Sequence, residues 1–516
     1  MRAPVEQRAA ARRARRENPK GKYDGAGMGR RVVSWTPPSS GPVRVVEGTE
    51  RLRDRANDTV RNDWAARSIV QKWATNLVGV GITPRWGDDA IEADAAKWFR
   101  ECDADGVLDF YGLQTLVTTT WFTGGEAFVR RRPRSLLAPL SAPVQIQVLE
   151  SAMVPYLTTD SREGLPANHE IVQGIERNKR TKQRTAVWFY REHPGDGSVN
   201  ASADTLVRVP ISDVLHVFRP ARPGQMRGVS ELSAVMVKLR SAADFESNTL
   251  DRQSLANLFV AFITRQLPDM WEANGIRVDA NTGVPAFWNP DGQATVSLKS
   301  GVVQELNPGE SMQFANPPEA GTTYAEYMRT NHLGTSAGAG MPYELMGGDI
   351  KDVSDRTLRI VIQEFRRLCE QVQWQILIPQ FCQPAIAWWA KARVLAGAAL
   401  SQAEKLASPE WFPHGWEYIH PVQDVQADVA ALDAGLKSRT GIISKRGDDP
   451  RRVLQQRKDD AAAEKAAGLD EPEPAKPAGG AQAREDRILD MLVQSQAQTQ
   501  ALIGAVAALL NREVKT

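Results

Sequence analysis

The sequence predicts an α+β chain of several domains, in which long amphipathic helices carry short strands and a small β-rich insertion. Three observations predict it. Apolar residues recur at helical spacing around 50–77, 229–257 and 355–376. Apolar and polar residues alternate over Val144–Glu150, as a half-buried strand requires, and the short apolar run Val214–Phe218 reads as a buried strand. The length, 516 residues, exceeds what one hydrophobic core can organise.

Residues 1–47 form a flexible basic arm, with an excess of Lys and Arg, repeated Gly and Pro and few large apolar residues. A helix runs from Glu50 to about Gln71 on Leu52, Ala56, Val60 and Trp64, and continues through Ile69, Trp73 and Leu77 to stop at Gly79 and Gly81. A second covers Ala90–Cys102 and buries Trp98 and Phe99; a third covers Tyr111–Phe122. Trp64, Trp73, Trp98 and Trp121 all fall at core positions of these helices. Gly124 and Gly125 turn the chain into a strand over Glu126–Arg132, and Val144–Glu150, Val187–Arg191 and Asp213–Arg219 supply further strands. Gly228 and Ser230 open a helix over 229–257, with Ser230 as N-cap. Leu232, Val235, Leu239, Ala243 and Leu250 form its narrow apolar stripe; Ser241, Asp244, Ser247, Asn248, Asp251 and Arg252 form its broad polar face. Turns at Asn289–Gly292 and Lys299–Gly301 bracket short strands within 259–318. Tyr324–Ser336 is a shorter helix, succeeded by a flexible glycine-rich run from Gly338 to Gly348. Ser354 and Asp355 start a long helix bearing Leu358, Ile362, Phe365, Leu368, Val372 and Ile376, which Pro379 and Pro384 should kink or break. Trp388, Trp389, Trp411 and Trp416 supply the packing between 385 and 424. Asp424–Leu436 and Ser438–Arg446 are helical, 471–480 is a Pro/Ala/Gly linker, and the end of the chain is an amphipathic helix.

Composition narrows the function. Sixty-four basic residues against sixty-two acidic ones leave a formal charge of +2. A protein that grips DNA through many phosphates carries a clear basic excess, so near-neutrality argues against strong DNA binding and suits a surface past which DNA slides. Three cysteines without CxxC spacing imply a reduced chain without a disulfide framework. No apolar run reaches the length of a membrane span, and the RRARR stretch near the N-terminus lacks the apolar core of a secretory signal.

No catalytic constellation stands out, and no cofactor is expected. Gly334-Thr-Ser336-Ala-Gly338 spells GxSxG, but helical residues precede it where a nucleophile elbow needs a strand. Gly25–Gly29 has neither a leading strand nor a closing GK[ST]. Asp349, Asp352 and Asp355 lie three apart; as acids at a loop and a helix N-terminus they are explained by the helix dipole without a metal. Arg130, Arg131 and Arg132 read as a solvated strand end or a face toward a neighbouring subunit.

Several separated motifs carry a resemblance. They are RNDWAARSIVQKWATNLVGVGITPRW at 61–86, TGGEAFVRRR at 123–132, VWFYREHPGD at 187–196, RVPISDVLHVFRPARPGQMRGVSEL at 208–232, and MPYELMGGDI at 341–350 with EFRR at 364–367. In this order and spacing, over most of residues 50–465, the chain resembles the lambda-type portal proteins of tailed phages. Val353-Ser-Asp-Arg356 departs from the Asn-Tyr-Ser-Ser-like run that the family tends to carry before its Arg.

The resemblance implies a portal fold, with wing, stem helices, clip and crown, closing into a cyclic homo-dodecameric ring. Residues 48–227 would be the α+β wing, 228–258 a stem helix, 259–318 the clip and 319–338 the second stem helix. A tunnel loop would occupy 339–354, a long kinked helix returning to the wing 355–424, crown helices 425–470, and a linker with a C-terminal helix 471–516. Gly347, Gly348, Asp349, Lys351 and Asp352 would line the tunnel loop, and Asp244, Asn248, Asp251 and Arg252 would face the channel from the stem. The implied function is passage of double-stranded DNA into and out of the capsid. The implied partners are the terminase large subunit, major capsid and scaffold proteins, and head-completion or tail connector proteins, in the virion and in the host cytoplasm during assembly. Two other readings are a capsid-lining or DNA-binding protein acting through the basic arm, and a hydrolase using Ser336.

Overall fold

The computed structural model describes residues 41, 48–196, 205–258, 261–265, 310–314, 323–351 and 353–467. The basic arm, the turns predicted at 289–301, the linker and the C-terminal helix lie outside them. The chain divides into two units, Met1–His414 and Gly415–Thr516.

The first unit begins with α1 (Thr49–Asn62) and α2 (Trp64–Val78), where the periodicity predicts one continuous helix. Asp63 interrupts it: its backbone is extended and its carboxylate accepts the Ala66 N–H at 2.8 Å, capping α2. Trp64 therefore sits on the first turn of α2, 55% exposed and edge-on to His332, while Trp73, Trp98 and Trp121 are buried as expected. After β1 (Thr83–Arg85) come α3 (Asp89–Glu101) and α4 (Phe110–Gly124), N-capped by Asp88 and Asp109. Gly125, at φ 92°, ends α4 in the left-handed conformation that favours glycine.

The chain then builds two antiparallel sheets. The strands are β2 (Glu126–Pro133), β3 (Val144–Glu150), β4 (His169–Val172), β5 (Ile175–Asn178), β6 (Arg184–Phe189), β7 (Val207–Pro210) and β8 (Val214–Phe218). The order is β3-β2-β8 in one sheet and β4-β5-β6-β7 in the other. Phe128, Val154, Val187, Phe189, Val209 and Val214 form one buried cluster, each side chain contributing about 1.5–3 kcal/mol by burial. β4, β5 and β7 escape a sequence reading: each has four residues and too few to show a period.

The remaining elements are α5 (Met236–Leu258), β9 (Ala261–Arg265), β10 (Glu310–Phe314), α6 (Thr323–Gly338), α7 (Tyr343–Gly347) and α8 (Asp355–Val372). Ser354 caps α8 by accepting the Thr357 N–H. Pro379, expected to kink or break the helix, does not end it. The helix instead widens into π-helical turns over Gln373–Cys382, with Pro379 inside them, and continues as α9 (Gln383–Leu395). The wider turn relieves the clash that an α-turn would impose on the proline ring, and Pro384 follows where the π-helical turns give way to α9. Phe365, Val372 and Ile376 of the predicted stripe are buried; Leu358, Ile362 and Leu368 are half-buried. Trp389 and Phe381 join Trp98 and Phe110 in the aromatic centre of the unit, with ring centroids 5.8–6.2 Å apart. α10 (Ala403–Ala407) and β11 (Glu410–Phe412) close the unit, β11 pairing antiparallel with β1.

The second unit contains α11 (Pro421–Asp433), α12 (Arg439–Lys445) and α13 (Pro450–Ala466). Ser438 and Asp449 cap α12 and α13, and Lys437 and Tyr418 both hold the Asp428 carboxylate. Among the described residues, no helix is long and apolar enough to cross a membrane.

Candidate functional site

α5 and α6 form an antiparallel pair. At one end side chains of the α5 side lie over glycines of α6: a Cβ on Gly338 would meet the Val235 side chain, and one on Gly334 would meet the Lys238 ammonium. At the other end Phe245 packs on Tyr324 and Tyr327 at 5.9 and 4.5 Å. Beyond it the chain continues into the β9–β10 ribbon, paired from Ala261↔Phe314 to Arg265↔Glu310. The result is a helical hairpin tipped by a two-stranded ribbon.

The start and the stripe of α5 differ from expectation. Ser230 does cap a turn, accepting the Leu232 N–H, but the chain makes i+3 bonds there and the α-helix begins at Met236. Leu232, Val235 and Leu239 are buried, whereas Ala243 and Leu250 are exposed. Past Ala242 the burial ends, and every residue from Ala243 to Asn248 is exposed. Asp244, Asn248, Asp251 and Arg252 are therefore all exposed, with Asp244 paired to Arg240 one turn back at 3.0 Å. Such a pair contributes about 0.3–0.5 kcal/mol.

The segment after α6 is less open than its glycines suggest. Residues 339–348 dock on α2: Trp73 Nε1 donates to the Ala339 carbonyl at 3.0 Å, and Ser68 Oγ to the Met346 carbonyl at 2.7 Å. Met341 and Met346 are buried, and Gly348, at φ 69°, caps the single-turn helix α7. What projects is Gly347, Gly348, Ile350 and Lys351. Asp349 anchors this projection. It accepts the Lys351 backbone N–H at 3.1 Å and the Tyr343 hydroxyl at 3.2 Å, with Arg329 of α6 at 3.9 Å. The Lys351 N–H, ahead of the Tyr343 hydroxyl and the Arg329 charge, holds its carboxyl below the usual range. Lys351 makes no ion pair among the described residues, and Asp352 lies outside them.

The hydrolase reading falls on geometry. Ser336 lies inside α6, 2% exposed, with its hydroxyl donating to the Leu333 carbonyl. A helix-interior serine cannot be lifted out as a nucleophile elbow requires. Asp355 occupies the first turn of α8, and the described residues hold no group of three side chains able to bind a metal.

The sequence reading missed the polar centre that ties β2 and β8 to the segment leading into α5. Glu126, first residue of β2, and Arg227 are both fully buried, with Arg227 Nε donating to Glu126 Oε1 at 2.7 Å. Arg227 also donates to the carbonyls of Ser151, Val154 and Gln173, and Glu126 accepts the Ser151 hydroxyl and the Gly228 N–H. His216 on β8 completes the centre, its Nε2 2.8 Å from Glu126 Oε2. Arg184 donates to the other ring nitrogen, Nδ1, so Nδ1 accepts and Nε2 carries the proton. Burial pushes His216 down and keeps it neutral, the Glu126 carboxylate opposing. Burial alone would raise Glu126; the Arg227 charge and the His216 hydrogen bond outweigh it and hold the carboxyl well below its usual range. Glycines make room: a Cβ on Gly228 would strike the Gly125 carbonyl, and one on Gly125 the backbone at Val229 and Ser230. The usable signal was a charged residue directly beside a glycine in each of TGGEAF and QMRGVSEL.

Known proteins resemble this chain along most of its length. A family model described as phage portal protein, lambda family, matches residues 28–373. That family is structural and non-enzymatic. A probable portal protein of Halomonas phage phiHAP-1 is 24% identical, covering 83% of this chain and 83% of its own length. Portal protein B of Escherichia phage lambda is 23% identical over 87% of this chain and 90% of its own. The portal protein of Escherichia phage N15 is 22% identical over 87% and 91%. Among solved structures, the neck of a native gene transfer agent particle computed with C12 symmetry is similar at 15% identity, over 82% of this chain and 99% of that one, with a TM-score of 0.46. With the family model spanning both the Glu126–Arg227 centre and the α5–α6 hairpin, the chain belongs to the lambda family of phage portal proteins.

Proposed function

We propose that copies of this chain close into a dodecameric ring at one capsid vertex, through which double-stranded DNA is packaged and ejected. α5 and α6 act as the stem, the β9–β10 side as the clip, and the segment around Lys351 as the constriction. The terminase large subunit docks on the ring during packaging, followed by head-completion or tail connector proteins, with major capsid and scaffold proteins around the wing. The observation that carries this reading is the α5–α6 hairpin. Val237, Phe245, Leu250, Tyr327 and Leu333 are exposed on helices that also present Asp244, Asn248, Asp251 and Arg252. A helix pair with both surfaces wet in one copy fits repetition by rotation, one surface against the next copy and the other toward a channel. The polar surface carries both acids and bases, which keeps net attraction for phosphate low. Particles assembled without this chain should contain no DNA and carry no tail; filled, tailed particles would overturn the reading.

A further inference from the structure

A cleft of about 810 Å³ opens on the wing, where the face of β2 and β3 meets the paired ends of β6 and β7. Its floor is apolar: Leu149, Met153 and Val207 are half-buried above Phe189. Its walls are cationic. Strand alternation sends Arg130 and Arg132 into the cleft and Arg131 to the opposite side, where it pairs with Asp213 at 2.6 Å. Arg132 is tied to Gln147 across the β2–β3 ladder. Arg130 is half-buried and has no ion pair or side-chain hydrogen bond among the described residues, and Arg191 faces it from the end of β6. Glu192, the one acid in the lining, is engaged in an interaction of its own.

A half-buried guanidinium next to a second one is only partly compensated. Desolvation first, and Arg132 second, weigh against the charge of Arg130, while the more distant Asp213 favours it. No carboxylate among the described residues pairs with it directly, and an anion in the cleft would. We propose that the cleft is a docking site for an acidic, extended peptide segment of a partner protein. Carboxylates of the segment meet Arg130 and Arg191, and an intervening apolar side chain covers Leu149, Met153 and Val207. The guanidinium fork suits a carboxylate bidentately. A DNA backbone offers anions but no apolar group for the floor, and favours open basic surfaces over a cleft. The site stands on its own residues and does not depend on how the ring is built.

The test is fluorescence anisotropy on the full chain with three labelled probes: the peptide Asp-Leu-Asp-Phe-Asp-Glu, its neutral counterpart Asn-Leu-Asn-Phe-Asn-Gln, and a short DNA duplex. The acidic peptide should bind, and Arg130→Gln and Arg191→Gln should each weaken it by about tenfold or more, while the neutral peptide binds neither form measurably. Arg191 is exposed, so its replacement leaves folding intact even if Arg130→Gln does not. Absence of acidic-peptide binding, binding unchanged by Arg191→Gln, or displacement of the peptide by the duplex with the same arginine dependence would each overturn the proposal.

Discussion

Arg227 donates to Glu126 at 2.7 Å with neither side chain exposed, and the two residues lie in different motifs, TGGEAF and QMRGVSEL. The contact fixes the start of β2 against the segment that leads into α5. Arg227 spends its remaining donors on three carbonyls, so the pair is satisfied on every side. Glu126→Gln should therefore destabilise by about 3–5 kcal/mol, because it leaves a buried guanidinium without a counter-charge. Urea unfolding of single and double variants measures this. Glu126→Leu with Arg227→Met should cost less than either single change, and a double variant worse than both would contradict the account.

Gly228→Ala should cost about 1–3 kcal/mol, since the added methyl collides with the Gly125 carbonyl, a backbone atom that cannot swing aside. A thermal melt reads the effect. An unchanged midpoint would mean that the two glycine turns are not in contact.

Acid should unfold the two sheets over a defined window. Glu176 is buried among Arg208, His169 and Thr185, and although burial raises its carboxyl, the Arg208 hydrogen bond and its companions bring it to about 2 from an ordinary 4.5. Glu126 shifts in the same direction. A depressed carboxyl contributes stability that is full above its unfolded value and lost as pH falls through its folded one. Stability should thus hold above pH 4.5 and fall steadily toward pH 2. Glu176→Gln should flatten that slope in pH-dependent urea titrations.

How much of this was legible depends on how many residues carry each signal. Helices such as α3 and α8 have enough residues to show their period, and the strand Val144–Glu150 alternates cleanly. The apolar repeat on both sides of Asp63 concealed the break it makes. The glycine-rich stretch after α6 looked open because its anchors, Ser68 and Trp73, lie about 270 residues away in sequence and meet it only through tertiary packing. The Glu126–Arg227 centre was hidden for the same reason. Composition assigns charged residues to the surface, and only long-range pairing brings these two inside.

The thiols give an independent check on packing. Cys102, Cys369 and Cys382 are all free and buried, and burial raises each of them, Cys369 to about 12. None should react with a thiol reagent at neutral pH until the chain unfolds. Fast labelling of the native protein would show that the helix layer opens.

Lys351 is the cation that projects beyond Asp349 next to the exposed Ile350. Lys351→Glu should leave ring assembly intact and change DNA packaging or retention in phage particles, read as DNA content per head. Unchanged DNA content would remove this segment from the channel.

The most direct measurement is cryo-electron microscopy of the purified chain, alone and in assembled heads. The account predicts closed rings of about twelve copies with the α5–α6 hairpins around a central channel and the Lys351 segment at its narrowest point. Monomers or open filaments in solution, together with heads whose vertex holds no ring of this chain, would contradict it.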